Sequence, residues 1–78
     1  MPKIIDRIKK AKERGAQGQY HIFGTREDRV AEGYNYAHNT HTMRAASQLA
    51  AKLPDGGIFS NAGCLIQGHR PPPNWTEG

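Results

Sequence analysis

Ile4, Ile5, Ile8 and Ala11 recur at helical spacing, so the first apolar stripe of the chain predicts an amphipathic helix over 2–14. Pro2 is tolerated in a first turn, where its missing N–H costs nothing. Gly15 and Gly18 then close the segment, since glycine readily takes the backbone conformations that follow a helix. Residues 18–24 predict a strand: Tyr20, Ile22 and Phe23 favour β structure, and glycines bound the run. The polar stretch 25–29 reads as a turn.

Residues 30–38 admit two readings. In the first they form a second strand with Val30, Tyr34, Tyr36 and His38 on one face; Gly33, Asn35 and two tyrosines are weak helix formers and favour it. In the second, one long helix runs over 25–53, capped by Thr25, with Glu27 and Asp28 at the positive end of its dipole. The apolar stripe of that helix changes face between Ala37 and Met43, so the hairpin is preferred. A helix over 41–53 is predicted in either case. It is rich in Ala and Leu, Thr40 or Thr42 can cap it, and Pro54 stops it. Residues 56–67 read as a hairpin, with Ile58-Phe59 and Cys64-Leu65-Ile66 as apolar runs and Gly63 available for a positive φ in the turn. Three consecutive prolines, Pro71 to Pro73, favour an extended tail over 71–78.

The pattern thus predicts a single small α+β domain over 1–70: a basic N-terminal helix, a β-hairpin, a central helix packed on an antiparallel sheet, and a C-terminal hairpin. Composition makes its core thin. Val, Ile, Leu and Phe number twelve of 78 residues, about 15 %, below the ~20 % at which folding becomes marginal in a highly charged chain. Such a core invites completion by a partner or a second copy of the chain.

Charge changes the picture more. Residues 1–14 carry six basic and two acidic side chains, a net of +4, whereas residues 15–78 carry five of each. Lys3, Arg7, Lys10 and Arg14 follow at steps of four, three and four, which aligns them along one helix face. Such a row meets phosphates or an acidic protein surface; its plain alternative is a solvated face. With three isoleucines and no Trp, Phe or Leu on its apolar side, the helix is a poor membrane anchor. No run is long and apolar enough to span a bilayer, and no apolar segment follows the basic N-terminus as in a secretory signal. A cytoplasmic location is therefore expected, and the glycosylation triplet at Asn74 reads as chance.

The remaining chemistry is sparse. Exposed tyrosines, Tyr34 and Tyr36 above all, would anchor a protein interface or stack with bases; the competing expectation is that they fill a core short of aliphatic residues. His38 and His41 would share a metal only in a helix, and the other candidate ligands are scattered, so no metal or other cofactor is expected. Cys64 lies in an apolar run and reads as a small buried hydrophobe rather than a nucleophile. The tail, with Arg70, three prolines and Trp75, offers a docking segment for an aromatic groove; its plain alternative is a tail that packs loosely or lies across its own domain.

These features point to a non-enzymatic protein that occupies a site on an acidic partner, a protein or a protein–nucleic-acid assembly before free nucleic acid. Lys3, Arg7, Lys10, Arg14, Tyr34 and Tyr36 are the expected contacts. An RNA- or DNA-binding module and a virion assembly component are the alternatives. In size, thin core and lack of catalytic groups the chain resembles small accessory and inhibitor proteins of phages and mobile elements, anti-CRISPR proteins among them. The resemblance lies in this general character alone. It covers no alignable motif and implies no residue roles.

Overall fold

The computed structural model describes residues 3–73 and Trp75. Along the chain lie α1 (Ile4–Glu13), β1 (Tyr20–Gly24), a 3-10 segment (Glu27–Glu32), β2 (Asn35–Thr40), α2 (Met43–Ala50), β3 (Gly57–Phe59) and β4 (Leu65–Gly68). The strands form one antiparallel sheet in the order β2-β1-β3-β4. This is the α+β arrangement the sequence predicts, with the central helix on the sheet and a C-terminal hairpin. No helix among the described residues is long and apolar enough to cross a membrane.

Side chains alternate across a strand, so β1 serves two cores at once. Ile22 points to the α2 side, where it meets Ile58, Ala46 and Leu53. Phe23 points to the α1 side, where it meets Ile8, Tyr34, Phe59 and Trp75. With a helix against each face, every residue of β1 after Tyr20 is buried. Thr42 caps α2 by accepting the Ala45 N–H at 3.2 Å, while Thr40 donates its hydroxyl to the Thr42 carbonyl at 2.9 Å. Asp55 ties the end of β1 to the α2–β3 loop, since its carboxylate accepts from both the N–H and the hydroxyl of Thr25, at 2.6 and 2.7 Å.

Several expectations need correction. No long helix crosses 25–53, and the strand expected over 30–38 begins only at Asn35. Val30 instead sits in the 3-10 segment, 66 % exposed. Gly33 ends that segment at φ +69° and ψ −160°, a conformation essentially reserved for glycine, so no helix passes through it. The face assignment within β2 also changes. Ile22 pairs with His38 and Phe23 with Tyr36, which leaves Ala37 as the extra residue of a bulge. Tyr36 therefore faces α1, and His38 faces α2. In the β3–β4 hairpin a second bulge pairs Ile58 with Gln67 and Phe59 with Leu65. Ile66 is left 45 % exposed, and Cys64, expected to be buried, is exposed in the turn. Gly63 takes φ +82° there, as the turn reading requires.

One residue of the tail reaches the core. Of the stretch expected to be extended, Asn74 and residues 76–78 lie outside the described residues, as does Pro2 at the start of α1. Trp75, however, is only 7 % exposed and packs edge-on to Tyr34 and Phe23, at ring-centroid distances of 5.5 and 6.2 Å. It closes the core beneath α1 and acts as a strap. Trp75→Ala should therefore cost about 3 kcal/mol of stability. Urea unfolding followed by circular dichroism measures this; an unchanged midpoint would mean that the strap contributes nothing.

Candidate functional site

Helix α1 owes its placement to Ile8, which is wholly buried against Phe23 and Phe59 and has the half-buried Ile4 beside it. Residues one position to either side of that apolar stripe then project along its flank. Lys10 and Arg14 are exposed, while Arg7 is half-buried and donates from Nη2 to Asn35 Oδ1 at 2.7 Å. The same oxygen accepts the backbone N–H of Tyr36 at 2.8 Å. Asn35 thereby fastens the cationic row of α1 to the first residues of the edge strand β2.

Between the helix and this edge lies a cleft of about 380 Å³ lined by Arg7, Lys10, Ala11, Arg14, Ala16, Asn35 and Tyr36. Three guanidinium or ammonium groups, an amide and a phenol meet there, and no carboxylate is among the described lining residues. The structure thus brings together four of the six residues that the sequence picks out. Lys3 stands apart as the residue before the first turn of α1. Tyr34 is in the core, 4 % exposed, with its ring stacked on Phe23 at 6.2 Å. The exposed anchor expected there is absent because the aromatic side chains complete the core. The Tyr34 hydroxyl is buried with no hydrogen-bond partner among the described residues. Desolvation, reinforced by the charge of Asp55, pushes its pKa up.

Tyr36 behaves differently because it belongs to both core and cleft. Its ring packs edge-on to Phe23 at 5.0 Å. Its hydroxyl lies 2.8 Å from Nδ1 of His21, a residue that is wholly buried. Nε2 of His21 lies 2.7 Å from Asn61 Oδ1 in the β3–β4 turn. An amide oxygen only accepts, so Nε2 carries the proton and Nδ1 is the acceptor for the Tyr36 hydroxyl. Asn39 completes the surroundings. Its Nδ2 donates to the carbonyls of Gly18 and Tyr20 at 3.1 and 3.2 Å and lies 3.3 Å from His21 Nδ1. Burial lowers the pKa of His21; the bond to Asn61 opposes this and the charge of Lys12 adds to it. Burial also pushes the Tyr36 phenol up to about 12, with the bond from Asn39 acting the other way, so it stays protonated at ordinary pH.

The sequence pattern does not single out His21, Asn35, Asn39 or Asn61. His21 alone carries a signal: it shares the Phe23 side of β1 and so has to be buried with a partner. The asparagines come from separate segments, and nothing local marks them.

The other candidates fall elsewhere. His38 is half-buried on the opposite face, beside Leu49 and Leu53, with its pKa lowered by burial and then by the charges of Arg26 and Lys52. His41 follows the end of β2 and is exposed, so the helical spacing that would pair it with His38 does not arise. Among the described residues no group of three or more His, Cys, Asp or Glu side chains is placed to hold a metal ion. No protein-family model matches the chain, and neither the curated proteins nor the solved structures contain a match to it.

Proposed function

We propose that this protein is a non-enzymatic binding protein that occupies an acidic site on a protein or protein–nucleic-acid assembly, with the α1–β2 cleft as its contact. The observation that carries this reading is the convergence of Arg7, Lys10 and Arg14 with Asn35 and Tyr36 on one cleft. Cations that served only solubility would need no such convergence, and each like-charge neighbour on a helix costs a few tenths of a kcal/mol. Lys10→Glu with Arg14→Glu tests it, since both side chains are exposed and surface charges contribute little to folding. The double variant should keep the wild-type far-UV circular dichroism and lose partner binding by roughly tenfold or more. Capture from native lysate, with and without nuclease, supplies the comparison. An identical set of partners bound by wild type and variant would sink the assignment.

A second reading, direct binding of RNA or DNA, is favoured by the burial of Tyr34. That burial removes an aromatic anchor from the surface and leaves a cleft made mostly of hydrogen-bond donors. If three cations each displace a counterion from a single strand, the logarithm of the affinity should fall with the logarithm of salt at a slope of about −2. A protein interface held by apolar contacts changes much less over the same range. Fluorescence anisotropy of a labelled single-stranded oligonucleotide across a salt series distinguishes the two readings. A flat profile with tight binding to an isolated protein target removes the nucleic-acid reading.

A further inference from the structure

His21 and Tyr36 give the cleft a property that its cations alone would not have. A neutral imidazole, protonated on Nε2 for Asn61, leaves Nδ1 as an acceptor; the Tyr36 hydroxyl at 2.8 Å is its nearer donor, since Asn39 Nδ2 lies at 3.3 Å and already donates to two carbonyls. The phenol oxygen then offers only lone pairs to the cleft, which an anion avoids. If Nδ1 takes up a proton, the bond reverses: Nδ1 donates, the phenol oxygen accepts, and the hydroxyl proton is free to turn to a bound oxygen.

We propose that the cleft takes a phosphodiester oxyanion and that Tyr36 is its gated donor, turned toward the anion when His21 is protonated. This rests on the reading of the cleft as the binding site. It favours a phosphodiester over an acidic peptide because hydrogen-bond donors dominate the described lining while Tyr34, which could have anchored a protein surface, lies in the core. A phosphodiester also does not titrate near neutrality, so any pH dependence comes from the protein.

The groups facing the imidazole, among the described residues, are Tyr36 and Asn39 from β2, Asn61 from the β3–β4 turn, Lys12 from α1 and the uncharged Phe59 paired with it from β3. No acid is among these described groups; the bond to Asn61 favours the charged ring, but burial outweighs it and the charge of Lys12 adds to burial. The sign follows from linkage. With the folded-state value lowered below 6.5, protonating His21 costs folding stability as pH falls from 6.5 toward that value. An anion beyond Tyr36 reverses this bias, and by reciprocity a protonated His21 tightens the anion.

The experiment is a two-dimensional NMR titration of the full chain at constant ionic strength, at about pH 7.5 and about pH 5.5, a range that brackets the ordinary histidine value. Inorganic sulfate, a dianion throughout that range, is the probe; a short single-stranded oligonucleotide and an acidic peptide follow. Sulfate should shift the amides of Arg7, Lys10, Arg14 and Tyr36, bind roughly three- to tenfold more tightly at the lower pH, and raise the pH at which the His21 ring titrates. Tyr36→Phe keeps the ring against Phe23. It should still bind sulfate, with less than about twofold pH dependence. If Tyr36→Phe retains the full pH dependence, the gate is wrong while the site stands. If sulfate moves no cleft amide at either pH, the site itself is wrong. If the acidic peptide binds the cleft and the oligonucleotide does not, the phosphate assignment is overturned.

Discussion

The ring of Phe23 touches four others, those of Tyr34, Tyr36, Phe59 and Trp75, at centroid distances between 5.0 and 6.2 Å. The α1 side of the molecule depends on this cluster. The chain has three leucines and one valine, too few to fill two layers between a sheet and two helices. On the α2 side aliphatic residues suffice, because Ala46 lets the helix lie close to Ile22 and Ile58. On the α1 side aromatic area takes their place. Edge-to-face pairs add about 0.5–1.5 kcal/mol each beyond simple burial, so the cluster also fixes geometry. Phe23 lies at its centre, and Trp75, remote in sequence, must return to complete it.

The cleft between α1 and β2 inherits its character from that demand. Once Tyr34 and Trp75 lie in the core, the cleft keeps one aromatic among its described lining residues, and that one, Tyr36, is half withdrawn. Under the proposed function, recognition there depends on the placement of donors rather than on apolar anchors. Charge alone places them poorly, because Lys10 and Arg14 stand on long exposed side chains. Asn35 supplies order by holding Arg7 and the Tyr36 backbone with one oxygen. The edge of the sheet and the flank of the helix are thereby registered against each other where the cations converge.

Much of the fold is legible in the sequence. The isoleucine spacing of α1, the Ala-rich α2 ended before Pro54, and the turn at Gly63 each reflect a local preference, and each element appears where that preference predicts it. The failures have one physical origin, which is that contacts distant in sequence override local pattern. A period of two cannot announce the bulge at Ala37, so alternation alone puts His38 on the same face as Tyr36. The apolar run Cys64-Leu65-Ile66 suggests uniform burial, yet only Leu65 packs against the α1 core; the turn exposes Cys64 and the bulge exposes Ile66. The cationic row of the site is readable because helix geometry aligns it within one segment. The polar network behind it is not, because His21, Asn39 and Asn61 meet only after the sheet has formed.

That network gives the cleft its link to the core. A buried imidazole needs partners for both nitrogens, or it costs roughly 1–3 kcal/mol for each one left unmade. Asn61 and Tyr36 meet that need from opposite sides of β1, and Tyr36 does so with the side chain that also lines the cleft. A polar residue inside an aromatic core is tolerated because its hydrogen bonds are complete, and completing them leaves one hydroxyl whose orientation the core controls. The stability of the α1 layer and the donor pattern of the cleft are therefore set by the same bond. A substitution at His21 cannot change one without changing the other.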